Sequence, residues 1–173
     1  MNTSLLVGIH ELPRRAGEHK QLHRICDAPP DLGVEMIGVR TGDPVNLDLT
    51  LQSAGEGVWV TGTAVAELHG HCVRCLSDIT YSDSFNIAEL YYYPGREADE
   101  EANYVVNDEI DLDPALRAAV ILELPINPLC TPDCLGLCPI CGLNLNESPE
   151  HSHTDTPPDD RWERLKSDLN LNQ

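Results

Sequence analysis

The sequence predicts an α+β fold: an antiparallel sheet or partial β-barrel, followed by a short helix, a cysteine-rich metal-binding loop and a C-terminal helix. Three observations carry that prediction. Apolar residues alternate with polar ones through much of residues 45–91, the stretch from Asp113 to Leu124 has helical spacing instead, and four of the seven cysteines crowd into residues 130–141. The expected organisation is an N-terminal strand and linker over 1–32, a β-rich core with an acidic loop and a helix over 33–128, and a cysteine-rich loop, polar linker and short helix over 129–173.

The strands are read from a period of two, the signature of a sheet with one buried face. In Val45-Asn46-Leu47-Asp48-Leu49-Thr50-Leu51 every odd position is apolar. Ser53-Ala54-Gly55-Glu56-Gly57 supplies a turn. Val58, Val60, Ala64, Ala66 and Leu68 then line one face of a longer strand, interrupted by Gly62, so the two segments predict a hairpin. Ile79, Tyr81, Phe85, Ile87 and Tyr91 continue the alternation in a third strand, and Leu5–Ile9 and Val34–Val39 are shorter candidates. With no helix between the middle three, the strands are expected to pair antiparallel.

Beyond Tyr93-Pro94-Gly95, Glu97, Asp99, Glu100, Glu101, Asp108, Glu109, Asp111 and Asp113 follow within seventeen residues, with no basic residue among them. This run reads as a solvated loop, with a docking surface for a basic partner as the alternative. Asp113 then has the character of an N-cap and Pro114 that of a first helical residue. Leu116, Ala119, Val120, Glu123 and Leu124 recur at helical spacing until Pro125 and Pro128 end a helix of about eleven residues. Residues 147–160 are rich in Ser, Thr, Pro, Asp and His and read as a linker, after which Trp162, Leu165 and Leu169 share one face of a short amphipathic helix.

Composition narrows the function. Of 173 residues 41% are apolar but only 5% aromatic, with a single Phe, so the core must be built from Leu, Val, Ile and Ala. Twenty-nine acidic residues against eleven basic ones give a net charge of −18, which disfavours unaided binding to a phosphate backbone. Arg14, Arg15, Lys20 and Arg24 make only a small basic patch. The opening MNTSLLVGIHELPRR places its basic residues after a short apolar stretch, the reverse of a secretory signal. No run approaches the roughly 20 apolar residues of a membrane span. A reducing cytoplasm is therefore the expected compartment, where clustered cysteines serve as metal ligands rather than disulfides. A Gly-x-Ser-x-Gly elbow, a His-Glu-x-x-His helix and a Gly-rich phosphate loop are all missing, so the residues give no support to an enzyme or a small-molecule substrate.

The spacing Cys130-x3-Cys134-x3-Cys138-x2-Cys141 carries the most specific chemistry. Two residues between thiolates let both sulfurs reach one ion at about 2.3 Å. Glycine after the second cysteine permits the positive φ that turns backbone amides toward the sulfurs. Gly142 fills that position after Cys138-Pro139-Ile140-Cys141, a zinc-knuckle form, and Gly136 can serve the first half in the same way. Cys130, Cys134, Cys138 and Cys141 are thus expected to bind structural zinc, as four protein ligands leave no open coordination position.

Cys72-Val73-Arg74-Cys75 is weaker evidence alone. The pair can supply additional metal ligands, a redox couple, or simply two cysteines at a strand end, and one alternative joins Cys72 and Cys75 with Cys138 and Cys141. His151 and His153 bring the candidate ligands to eight, enough for two tetrahedral sites, although His-Ser-His in a polar linker also reads as solvated. His69 and His71 read as polar surface residues, and Cys26 as a small buried one.

Taken in order, several segments resemble the YceD family of large ribosomal RNA accumulation proteins. They are Val60-Thr61-Gly62-Thr63 leading to Cys72-Val73-Arg74-Cys75-Leu76, the acidic loop, the helix ending Leu124-Pro125, Cys134-Leu135-Gly136-Leu137-Cys138-Pro139-Ile140-Cys141-Gly142-Leu143-Asn144-Leu145-Asn146, and Asp160-Arg161-Trp162-Glu163-Arg164-Leu165. The resemblance covers roughly residues 33–170. It implies a non-enzymatic bacterial and plastid factor supporting synthesis, processing or stability of 23S ribosomal RNA and large-subunit assembly. It matches Cys72 and Cys75 to the family's strand-end pair, and Cys130, Cys134, Cys138 and Cys141 to a later cluster that some similar proteins lack. Combined with the charge, it suggests an acidic adaptor for a large-subunit ribosomal protein or assembly factor, with contact to ribosomal RNA indirect. The alternatives are a zinc-ribbon interaction module in transcription regulation and a thiol redox or metal-handling protein.

Overall fold

A computed structural model describes residues 5–95 and 102–153. Among them the elements run β1 (Leu6–Gly8), β2 (His19–Asp27), β3 (Leu32–Val34), β4 (Ile37–Val39), β5 (Pro44–Ser53), β6 (Gly57–His71), β7 (Asp78–Tyr92), β8 (Asn103–Tyr104), β9 (Glu109–Asp111) and α1 (Asp113–Glu123). By compactness the chain forms two units, residues 1–134 and 135–173, and all of these elements belong to the first. The expected C-terminal helix lies outside the described residues. No described helix is long and apolar enough to cross a membrane.

The main sheet is built around β6. Its first half pairs with β5 from Ser53↔Val58 to Asn46↔Val65, its far end pairs with β4 at Gly38↔His69 and Ile37↔Gly70, and β7 runs antiparallel along its whole length. β2 lies beyond β5, β3 beyond β4, and β8 adds a short parallel pairing to β7. Among the described residues β2 and β7 do not pair, so the sheet is mostly antiparallel and not closed into a barrel. A separate ribbon joins β1 to β9, with Val7 opposite Ile110.

The alternation read from the sequence is the core itself. Val45, Leu47, Leu49, Leu51, Val58, Val60, Ala64, Ala66 and Leu68 are all buried, as are Phe85, Ile87 and Tyr91. Helix α1 lays Ala115, Leu116, Ala119 and Val120 into this core, packing against β7 and β3. Tyr91 is buried with them, and its hydroxyl donates to the Asp111 carbonyl oxygen at 2.8 Å, tying β7 to the entrance of the helix.

Five local expectations are revised. Val34–Val39 is not one strand but two short ones, folded so that Gly33 faces Gly38, where neither neighbour leaves room for a Cβ. β6 is not interrupted at Gly62; the strand runs through it, pairing with Leu49 and Ile87. The acidic run is not all loop, since β8, β9 and the Val106↔Glu109 bridge lie within residues 103–111 and carry the buried Val105 and Ile110. The helix begins at Asp113, placing Pro114 in its first turn. Asp113 is therefore no N-cap: its N–H is accepted by Asp111 Oδ1 at 3.0 Å and its own carboxylate pairs with Arg117 at 2.8 Å. Finally, β2 is a full strand where a linker was expected to dominate; its inward positions include Lys20 and Arg24, whose aliphatic stems stand where an alternating pattern would have apolar residues.

Gly62 gives a direct test of the central strand. Its φ is +146°, and a Cβ there would be driven into the Asp48 carbonyl oxygen of β5. Gly62→Ala is expected to cost about 1–3 kcal/mol in denaturant unfolding, whereas Gly55→Ala, in the preceding turn where a Cβ meets nothing, should be near neutral. Leu116→Ala, removing a fully buried side chain from the helix–sheet contact, is expected to cost about 2–5 kcal/mol by the same measurement.

Candidate metal centres

Cys72 and Cys75 sit in the turn between β6 and β7. Pairing of the two strands ends at His71↔Asp78, and the turn closes on itself: Leu76 N–H donates to Cys72 O at 2.9 Å and Cys72 N–H to Ser77 O at 2.9 Å. The chain beyond α1 is fastened to this turn by two further bonds. Val73 N–H donates to Pro128 O at 3.0 Å, and Arg74 Nη1 donates to Cys134 O at 2.9 Å. Cys130 and Cys134 are thereby delivered to Cys75 and Cys72 from 55 and 62 residues away along the chain.

The four sulfurs lie within 4.8 Å of one another, with Cys72 Sγ 3.7 Å from Cys134 Sγ and Cys75 Sγ 3.5 Å from Cys130 Sγ. These separations are far longer than a disulfide bond of about 2.05 Å. They match the edge of roughly 3.8 Å that four sulfurs at about 2.3 Å from one tetrahedral ion must have. No disulfide joins any of the cysteines.

The electrostatics of this group are those of a cation site. Burial by itself would push the Cys72 thiol up, but the N–H groups of Cys75, Cys130 and Arg74 outweigh it and bring it down to about 6. The Ser77 hydroxyl and amide lower Cys75 in the same way. Cys130, hydrogen-bonded first to Cys75 and also desolvated, is pushed up to about 12. Negative charge is thus favoured on Cys72 and Cys75, while Cys130 holds a proton that a divalent cation would displace.

A second group forms within residues 135–153. Cys138 N–H donates to Leu143 O at 2.8 Å and Gly142 N–H to Cys138 O at 2.9 Å, closing the knuckle. Gly136 and Gly142 take φ of +80° and +74°, the left-handed conformation expected of glycines in this form. Asn144-Leu145-Asn146 latches the loop: Asn144 bridges Leu137, Leu145 N–H donates to Gly136 O at 2.9 Å, and Asn146 Oδ1 accepts from Leu135 N–H at 2.8 Å. His151 Nε2 then lies 3.3 Å from Cys141 Sγ and 2.9 Å from His153 Nε2, and the donor atoms of Cys138, Cys141, His151 and His153 all fall within 4.8 Å of one another. The N–H groups of Cys141 and Ile140 bring the Cys138 thiol down to about 6 against the opposing effect of burial.

The four cysteines expected to share one ion are divided between these groups, Cys130 and Cys134 in the first, Cys138 and Cys141 in the second. Cys72 and Cys75 join the former pair rather than the latter, and His151 and His153 stand beside the knuckle rather than apart as linker residues. Asn144 and Asn146 belong to the two Leu-Asn steps that follow Cys141-Gly142, a short repeat whose side chains latch the loop. Cys26 is buried, and desolvation raises its thiol. His71 is a surface residue 2.9 Å from Asp78, but His69 is only 12% exposed, its Nε2 lying 3.1 Å from both Asp43 and Glu67. The basic patch is largely occupied within the protein. Arg14 pairs with Asp108 at 2.7 Å and stacks on Tyr93, Lys20 pairs with Glu11 at 2.6 Å, and Arg24 Nη1 donates to Leu6 O at 3.0 Å.

An uncharacterized protein found in both Mycobacterium tuberculosis and Mycobacterium bovis is 41% identical to this chain over 166 residues, spanning 93% of the chain and 79% of the relative. An uncharacterized protein of Mycobacterium leprae is 34% identical over 162 residues, 91% of this chain and 74% of its own. A shorter match, 45% identical over 38 residues, covers 22% of the chain and 13% of the maize protein described as large ribosomal RNA subunit accumulation protein YCED homolog 1, chloroplastic. No solved structure matches significantly. Residues 60–167, from the middle of the sheet through both cysteine groups, match the family described as large ribosomal RNA subunit accumulation protein YceD, and the chain belongs to that family.

Proposed function

We propose that this protein is a non-enzymatic cytoplasmic factor that supports accumulation of the large-subunit ribosomal RNA, acting as an acidic adaptor for a basic ribosomal protein or assembly factor. Family membership carries the reading. The charge supports the adaptor form of it: a chain of net charge −18 repels a phosphate backbone, and three of the four residues in its N-terminal basic patch are already engaged by carboxylates or a carbonyl. Basic proteins are attracted by the same field.

In this reading a structural zinc ion is held by Cys72, Cys75, Cys130 and Cys134. The donor set fits zinc: four sulfurs at tetrahedral separations, with backbone N–H groups directed at the thiolates. Four protein ligands leave no position for water or substrate, so the ion would act as a crosslink and not as a catalyst. It would fasten the β6–β7 turn to the chain beyond α1, holding one edge of the adaptor in a fixed shape.

Depletion of the protein in cells is expected to lower the ratio of mature large-subunit to small-subunit ribosomal RNA, with precursor ends mapped in parallel; an unchanged ratio under full depletion overturns the assignment. The purified chain should show weak binding to large-subunit RNA, and a tight interaction with a steep salt dependence would replace the adaptor by a direct RNA binder. Cys134→Ser is expected to destabilise the first unit by about 4 kcal/mol in denaturant unfolding, the scale of losing a crosslink across a loop of about sixty residues. Chelation should produce a similar loss in the parent protein and little further loss in the variant.

A further inference from the structure

We infer that residues 135–153 form a second, separate zinc module whose ligands are Cys138, Cys141, His151 and His153. Its carrier is the His151–His153 pair. Two imidazole Nε2 atoms stand 2.9 Å apart, and one of them is also 3.3 Å from Cys141 Sγ, with the rings edge to face. A single proton can bridge only two of these donors at a time. One divalent ion satisfies all four donors, and tetrahedral zinc with nitrogens at about 2.0–2.1 Å and sulfurs at about 2.3 Å requires donor separations of roughly 3.3–3.8 Å. The Cys141–His151 separation of 3.3 Å lies on that scale, the two imidazole nitrogens at 2.9 Å need part by only a few tenths of an ångström, and all four donors fall within 4.8 Å of one another.

The local backbone is organised around the same point. The glycine-dependent knuckle brings Cys138 and Cys141 together, the Asn144–Asn146 latch reverses the chain, and a turn in which His151 N–H donates to Ser148 O at 3.1 Å returns the imidazoles to the sulfurs. No strand or helix lies within these residues, and of their large apolar side chains Leu135, Ile140 and Leu143 are exposed while Leu137 and Leu145 are only half-buried. With so little buried apolar surface, metal coordination is the interaction that can hold such a segment in one conformation.

The two centres differ in charge. Four thiolates around one zinc ion carry a net charge of −2, whereas two thiolates, two neutral imidazoles and one zinc ion sum to zero. The second centre is therefore itself neutral, and the charge of its module comes from Glu147 and Glu150 alone.

The test is metal stoichiometry on the full chain, with cobalt(II) as a spectroscopic replacement for zinc. The parent should bind two ions. His151→Ala and His153→Ala should each reduce this to one, leaving the visible spectrum of a four-sulfur site, and Cys72→Ser should leave the spectrum of a mixed nitrogen and sulfur site. Nitrogen NMR of the histidine rings should show His151 and His153 metal-bound through Nε2 in the zinc protein. Two ions retained in both histidine variants, or ring signals unchanged on zinc addition, would overturn the proposal. A single ion in the parent that survives loss of Cys72 and is lost with Cys130 would instead assign one site to Cys130, Cys134, Cys138 and Cys141, overturning this inference and the ligand set of the first centre while leaving the ribosomal assignment standing.

Discussion

The β6–β7 hairpin is the constraint on which the rest of the first unit depends. Each strand is fifteen residues long and they pair end to end, so the register of one face sets the register of everything packed on it. A slip of one residue would turn Val58, Val60, Ala64, Ala66 and Leu68 away from the core and bring Trp59, Val65 and Glu67 inward. The same ladder determines where it must end. Its closing turn holds Cys72 and Cys75, so the first cysteine group is located by sheet register before any metal is considered.

Helix α1 converts that local feature into a long-range one. Its buried face sits on β7 and β3, and Pro125 and Pro128 end it where the chain can reach back to the hairpin turn. The Val73 to Pro128 and Arg74 to Cys134 bonds then align the two halves of the cysteine group without requiring the sulfurs to do so alone. Packing brings the sulfurs near one another, and backbone amides lower the Cys72 thiol. Residues 135–153 follow a different logic, in which glycine turns and asparagine side chains organise a segment that has almost no core.

Charge sets the limits on what such a scaffold can touch. The few cations described are mostly committed to internal work: Arg117 to Asp113, Arg74 to a backbone carbonyl, Arg14 and Lys20 to neighbouring carboxylates. The acidic side chains outnumber them and many remain at the surface, Asp78 at 89% exposure and Asp48 at 68%. A surface charged in this way attracts basic groups and repels a phosphate backbone.

The amino-acid sequence by itself determined the elements whose signal is local. The alternation in 45–51, 58–68 and 79–91 identified the three long strands and most of their inward residues, because a strand facing a core must repeat every two residues; Tyr81, on the predicted inward face of β7, is exposed instead. Spacing identified α1, and the glycines of the knuckle announced their positive φ. β2 was obscured because Lys20 and Arg24 occupy inward positions with their aliphatic stems, and β8 and β9 because the charges around them outweigh their few buried residues. The division of the cysteines was decided only by tertiary structure. Cys130 lies closer in sequence to Cys138 and Cys141 than to Cys72 and Cys75, and a reading along the chain favours neighbours. Strand register, the reach of the segment after α1 and the reversal that returns His151 to Cys141 are three-dimensional facts, and they place each thiol with partners that sequence proximity does not reveal.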